Sequence, residues 1–497
     1  MHELWRKSAT ELAALIANKA VSSAEVVEAH LARIEAVNPT VNAIVRVLGD
    51  DARKAAVVAD QMVARGEALG PLHGVPFTVK ENIDMAGLPT TWGVKALAQA
   101  IAPVDAPVVE RMRVAGGIPI ARTNLPDMAL RVHTDSSLHG LTRNPWNLRR
   151  TVGGSSGGEA AALATRMSPI GLGNDIGGSL RNPANACGIA SIRPSMGRIA
   201  DAGCVPSQDR LLAVQLMQVQ GPMARCIKDV RLGFEILMGA HPGDPQSFDM
   251  PLLGKPLARP IRVAVMAMPP GGSCNAAISA AVRNAADALS NAGYDVVETC
   301  PPRFEEAVAV WAKFLMGDFA AVLPQLLPFM GADGATFLNT INASTPPFKD
   351  AAEMSRLLIA RDGIAREWSQ FLATHPLILS PTWTQLPFEH GFDVATPQGA
   401  AETIEMIRPV VPANLLGLPS ACVPAGRDVA SGLPIGVLIT GQRNRDDLCL
   451  DAAEVVEAQS GLVTPIDPEI LNFFPGLQSS VQNRTCYIDH IFLSKEK

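Results

Sequence analysis

Paired cysteines are missing from this sequence. Its eight cysteines, Cys187, Cys204, Cys226, Cys274, Cys300, Cys422, Cys449 and Cys486, stand singly, with no Cys-x-x-Cys and no cysteine–histidine cluster. That spacing argues against a disulfide framework and a zinc site, so a reduced, cytoplasmic, metal-free protein is expected. Charge is also scarce: 18% of the 497 residues are Asp, Glu, Lys or Arg, against about 25% in ordinary soluble domains. The net charge of −6 comes without a run of either sign, which leaves no electrostatic footprint for nucleic acid. Apolar runs fall short of the ~18 consecutive residues that a membrane helix needs. Residues 12–16 are too short a run for a secretory leader, follow Glu11, and continue as an amphipathic segment. Neither a membrane span nor a signal peptide is expected.

What is plentiful is apolar residues, at 47%, and glycine, at 41 positions. Such a chain has material for a large, tightly packed core and is not disordered. Length alone, at about 150 residues per domain, suggests about three domains. Yet no flexible or charged linker divides the chain, and no internal repeat is present. Two capping boxes open it, Ser8-Ala-Thr-Glu11 and Ser22-Ser-Ala-Glu25. Val27, Leu31 and Ile34 then share a helical face, and Asn38-Pro39 predicts that helix's end. Strands are predicted over 43–48, 75–79, 118–121, 261–268, 295–299, 377–380 and 435–440. Helices are predicted over 50–65, 106–115, 276–292 and 448–459. The alternation argues for an α/β protein, helices covering a large, mostly parallel or mixed sheet. Residues 311–330 are unusually apolar and read as core helices, with a substrate-facing cap as the other reading. After Pro468 the alternation fades into a tail, 468–497, with no assigned role.

The chemistry concentrates in residues 151–197. Two clusters stand out, Gly153-Gly-Ser-Ser-Gly-Gly158 and Gly173-Asn-Asp-Ile-Gly-Gly-Ser179. Glycine is costly unless the backbone needs positive φ or close approach. Two such loops suggest bare N–H groups gathered around an anion or a developing oxyanion. A phosphate loop does not fit, because neither Gly-x-x-x-x-Gly-Lys-Ser/Thr nor a strand-borne Gly-x-Gly-x-x-Gly is present. A nucleophile elbow matches the letters Gly153-Gly-Ser155-Ser-Gly157 but lacks the preceding apolar strand, since Pro145-Trp-Asn-Leu-Arg-Arg150 is not one. Its histidine partners would be His375 or His390, neither in a distinctive loop. The third reading is a serine nucleophile activated by a lysine.

On that reading the sequence resembles the amidase signature family, whose members use a Ser-Ser-Lys triad. The resemblance rests on Gly153–Gly158, Asp175-Ile-Gly-Gly-Ser179, Arg181, Cys187-Gly188 and the lysine motif Val79-Lys80-Glu81-Asn82. It extends to Thr142-Arg-Asn-Pro-Trp146, Gly221-Pro-Met-Ala-Arg225, Asn414-Leu-Leu-Gly-Leu-Pro419, Val423-Pro-Ala-Gly426 and Gly432-Leu-Pro-Ile-Gly436. Such a spread implies one amidase domain over 1–467, overriding the prior from length. It also implies an α/β/α domain with a large mixed sheet.

Carried over residue by residue, the resemblance makes Ser179 the nucleophile, Ser155 the bridging serine at a cis peptide bond, and Lys80 the base. Backbone N–H groups of Ile176, Gly177, Gly178 and Ser179 would form the oxyanion hole. Asp175 and Arg181 would pair to support the loop, and Ser156 would hydrogen bond within it. Cys187 is expected as a buried filler, and His133 and His139 as structural or supporting groups. No metal and no organic cofactor is implied.

The expected activity is hydrolysis of the C–N bond of neutral carboxylic amides, especially aryl or apolar amides, anilides or carbamates (urethanes), through a serine acyl-enzyme. Esters would undergo the same attack. The partner is a small-molecule amide; nucleic acid and membrane are not expected, and a homodimer is compatible. Neutrality is inferred from the scarcity of counter-charges near the motifs, where Arg131, Arg150 and Arg181 are the candidates. One rival is the amidase (glutaminase) subunit of a tRNA-dependent amidotransferase complex. The other is a non-catalytic scaffold, which the intact Lys80, Ser155 and Ser179 oppose.

Overall fold

The computed structural model describes residues 3–205, 209–461, 464 and 466–468. All but the first residue of the expected tail, and Cys486 with it, lie outside the described residues. Strands run in chain order as β1 (Ile44–Val47), β2 (Pro76–Lys80), β3 (Ile118–Thr123), β4 (Asp135–Ser136), β5 (Gly140–Leu141), β6 (Ile170–Asp175) and β7 (Ala190–Arg193). They continue as β8 (Val219–Ala224), β9 (Arg262–Val265), β10 (Asp295–Glu298), β11 (Leu377–Pro381), β12 (Ser420–Arg427) and β13 (Pro434–Gly441). Among the described residues, eleven of them form one mixed sheet in the order β1-β3-β2-β6-β8-β7-β12-β13-β11-β9-β10, while β4 and β5 pair separately. The fold is therefore α/β, a large mixed sheet flanked by helices.

Both faces of the sheet are buried, and the strand sequences show why. Val263, Val265, Leu377, Leu379, Val437 and Ile439 enter one apolar core. Their neighbours Ala264, Ile378 and Leu438 enter the other. Side chains alternate across a strand, so a strand apolar on both faces needs cover on both. Helices supply it. Their ends follow local chemistry: both predicted capping boxes form, with Ser8 and Glu11, and Ser22 and Glu25, bonding reciprocally. Gly66, in the left-handed region, stops the helix Gly49–Arg65.

Two boundaries differ from expectation by more than two residues. The helix predicted to end at Asn38-Pro39 runs Ser23–Val41, with Pro39 inside its last turn. Asn42 closes it in the left-handed region, its N–H donating to the Asn38 carbonyl at 2.7 Å. The Asn38 side chain accepts from the N–H groups of Ala43 and Ile44, so the exit is fixed beyond the proline. The strand predicted over 261–268 stops at Val265, the last residue paired with β10. No single helix among the described residues is long and apolar enough to cross a membrane.

For function, the decisive placement is at β2 and β6. These strands run parallel and adjacent, with Thr78 opposite Gly171 and Val79 opposite Leu172. Lys80 ends one, and Asn174 and Asp175 end the other. Carboxyl ends of adjacent strands are where α/β sheets collect their chemistry.

Candidate active site

Lys80 is fully buried at the end of β2, whose residues are all inaccessible. Its Nζ donates to Ser155 Oγ at 2.7 Å and to Asn174 Oδ1 at 2.6 Å. Burial pushes the ammonium down to about 7, against smaller opposing pulls from Asp175 and Glu159. Ser155 follows a cis peptide bond from Gly154 and leads into the helix Gly157–Ala164. Gly154 is glycine for a steric reason: a Cβ there would stand 2.6 Å from the Arg131 carbonyl oxygen. The second loop leaves β6 through Asp175 and carries Ser179 to the helix Arg181–Cys187. Ser156 N–H donates to the Ser179 carbonyl at 3.3 Å and joins the two loops.

Asp175 and Arg181 pair as expected, through two hydrogen bonds of 3.0 Å, both side chains fully buried. Asn414 Nδ2 donates to Asp175 Oδ1 at 2.7 Å, and Arg181 also donates to Asn414 Oδ1 and the Val410 carbonyl. Burial alone would raise the Asp175 carboxyl; Arg181, Arg193 and Asn414 together outweigh it and hold the group well below the usual range.

Two expectations are corrected. The Gly178 N–H donates to Asp175 Oδ1 at 2.8 Å, so it is committed to the loop rather than to an oxyanion. Ile176, Gly177 and Ser179 remain as candidate donors. Gly178 itself is required by φ +95° and by Val410, whose Cγ1 would stand 2.4 Å from a Cβ. Ser156 holds its loop through its backbone; its buried hydroxyl has no hydrogen-bond partner.

Ser179 opens into a cavity of about 280 Å³ lined by Ile176, Gly177, Trp311, Leu315, Phe319 and Leu338, among others. Residues of the apolar 311–330 segment enter the core and also line this cavity. Trp311 and Phe314 are buried in the core, while Trp311, Leu315, Met316, Phe319 and Leu323 also wall the cavity. Among its lining residues the charged ones are Arg131 and Glu405. Arg131 is paired through two hydrogen bonds, of 2.6 and 2.9 Å, to the buried Asp393, and Glu405 is paired with Arg408. Arg150 lies apart, on the Pro387 carbonyl and near Glu389.

With this geometry in place, comparison is decisive: a family model described as Amidase matches residues 25–450. The chain belongs to the amidase family. An indoleacetamide hydrolase of Bradyrhizobium diazoefficiens is 40% identical over 464 residues, 93% of this chain and 88% of that one. The matching subunit of the glutamyl-tRNA(Gln) amidotransferase of Acidothermus cellulolyticus is 32% identical, covering 92% and 95%. Among solved structures, 6-aminohexanoate cyclic dimer hydrolase superposes with a TM-score of 0.80 at 29% identity, covering 93% of this chain and 99% of that one. As an amidase the protein is a hydrolase of carbon–nitrogen bonds.

The four histidines singled out from the sequence sit in structural contacts. His133 Nδ1 meets Thr151 Oγ1 at 2.8 Å, and its ring lies 5.2 Å from that of His390. Burial, then Arg131 and His390, hold its imidazole well below the ordinary value. His139 is pushed down to about 4, chiefly by burial. His390 Nε2 meets the Leu148 carbonyl and His375 stacks on Phe371, and neither hydrogen bonds to Ser155 or Ser179. Cys187 is a buried filler whose thiol is pushed up by burial.

Several residues around the site carried no signal of their role in the sequence. Asn174 binds Lys80 Nζ and also donates to Asn82, although both asparagines lie within the serine and lysine motifs. Glu159 is fully buried, accepts from Thr78 and Thr123, and is pushed up to about 8 by burial despite those bonds. Asn182, Trp311 and Asn414 had no spacing signal, because their partners come from remote stretches of chain.

Proposed function

We propose that this amidase, with residues 1–467 acting as one catalytic domain, hydrolyses neutral amides with an aromatic or apolar acyl portion through an acyl-enzyme on Ser179. Carrying this reading is the apolar cavity at Ser179, whose charged lining residues are already paired. Glutamine brings an ammonium and a carboxylate, and a site that accepts both needs placed counter-charges. Both charged lining residues are ion-paired, Arg131 with Asp393 and Glu405 with Arg408, although Arg131 Nη1 has no hydrogen-bond partner among the described residues; that pairing favours an arylacetamide over the glutaminase reading. The relative named indoleacetamide hydrolase points the same way.

In the proposed reaction, neutral Lys80 takes the proton of Ser155, which takes that of Ser179. The Ser179 Oγ bonds to the amide carbon. Negative charge developing on the oxygen is met by N–H groups of Ile176, Gly177 and Ser179, and losing one such donor typically costs about 10²–10³ in rate. The proton then passes back to the nitrogen, the C–N bond breaks, and ammonia or an amine leaves. Water repeats the sequence on the acyl-enzyme and releases the acid. Support for the relay is the 2.7 Å Lys80–Ser155 contact and a lysine that burial makes basic near neutrality. Anilides, aryl carbamates and esters present the same polarised carbonyl.

A substrate panel tests this reading. Burying one ring contributes about 1.5–3 kcal/mol, roughly 10- to 150-fold in kcat/KM for an arylacetamide over acetamide. Equal or better kcat/KM on glutamine would reject it in favour of the amidotransferase reading.

A further inference from the structure

The loop between Asp175 and Ser179 is held by side chains, peptide by peptide. In the Gly177–Gly178 unit, the carbonyl accepts from Asn182 Nδ2 at 3.0 Å and the N–H donates to Asp175. Asn182 is held in turn by Trp383, whose Nε1 donates to its Oδ1 at 2.9 Å. Both ends of that unit are therefore committed. The preceding unit, Ile176–Gly177, is held at one end only. Its carbonyl accepts from Trp311 Nε1 at 3.3 Å. A trans peptide is planar, with carbonyl and N–H on opposite sides. Trp311 thus fixes the direction in which the Gly177 N–H points.

Trp311 stands on the helix Phe304–Phe319 and is buried, yet it lines the same cavity as Ser179. Its contact with the loop is close: a Cβ at Gly177 would lie 2.8 Å from Trp311 Cζ2. One indole therefore touches the loop with its N–H edge and the acyl cavity with its ring.

We propose that Trp311 is a positioning residue that couples acyl-group fit to the oxyanion hole. Its N–H, on the Ile176 carbonyl, aims the Gly177 N–H at the substrate carbonyl oxygen. An acyl ring packed on the indole holds that arrangement, whereas a small acyl group leaves it unsupported. Selectivity for aryl substrates is then expressed in kcat as well as in binding. The inference rests on the Ser179 acyl-enzyme reading and adds to it a residue outside the triad.

Two replacements separate the N–H from the shape of the ring: Trp311→Phe, and Trp311→β-(3-benzothienyl)alanine, which keeps the bicycle and puts sulfur in place of N–H. Both should lower kcat on an arylacetamide by about 10-fold, less than the loss of a whole donor. With the benzothienyl replacement, which keeps the packing ring, KM should stay within about twofold. The kcat advantage over acetamide should shrink. Affinity for an aryl trifluoromethyl ketone, which forms an oxyanion on the serine, should fall by a similar factor. Unchanged kcat with the benzothienyl replacement, or a change confined to KM, would overturn the inference while leaving the serine reading intact. Ser179→Ala assayed alongside separates the two: turnover surviving in it would overturn the serine reading itself, and with it the role assigned to Trp311.

Discussion

A lysine serves as a base near neutral pH only where burial has already removed much of the preference for its charge. Lys80 meets that condition at the inaccessible end of β2, where desolvation brings it down to about 7. The base form accumulates as pH rises through that value, so kcat/KM should climb through about pH 7 and level off on the alkaline side. An acidic optimum would contradict this. Lys80→Ala and Ser155→Ala should each lose several orders of magnitude, and the double variant little more, because one relay is broken in each. A double loss equal to the product of the single losses would show that the two act separately. The meeting of the Lys80, Ser155 and Ser179 segments was legible because each sits in a dense local motif. The neighbours that tune them were not: Asn174 lies inside the second glycine-rich motif, but nothing in its spacing says that its amide would meet Lys80.

Elements set the shape of the site through buried pairs that join remote segments. β6 ends in Asp175, the next helix begins with Arg181, and Asn414 on the helix Val411–Leu416 completes the group. Removing one partner of a buried pair leaves an uncompensated charge. Arg181→Met should cost about 3–5 kcal/mol, with a clearly lowered Tm by calorimetry. A Tm within about 1–2 °C of the parent would mean that the pair is dispensable. At this scale local signals read well where local chemistry decides, as in the two capping boxes. They misled where a neighbour compensates: Pro39 stays in its helix because Asn38 and Asn42 secure the turn beyond it. The Gly178 N–H was similarly claimed by a carboxylate only three residues back.

Across the whole molecule, the sheet presents Lys80 and the root of the Ser179 loop, while separate helices close the cavity beside Ser179. Trp311, Leu338 and Ile404 reach it from the helices Phe304–Phe319, Ala332–Ser344 and Pro397–Met406. The alternating strand and helix pattern revealed the α/β class, but strand order and the cavity depend on contacts between distant segments that one sequence does not display. The cavity's volume should govern substrate size. Leu338→Trp should raise KM for an arylacetamide by about 10-fold and leave acetamide within about twofold. Equal effects on both substrates would place the aryl group elsewhere. Whether Ser179 carries the acyl group is read out by peptide mapping with mass spectrometry after reaction with a fluorophosphonate. The adduct is predicted on Ser179, with labelling lost in Ser179→Ala and suppressed in Lys80→Ala; an adduct on any other residue, or continued turnover by the Ser179→Ala protein, would contradict the account.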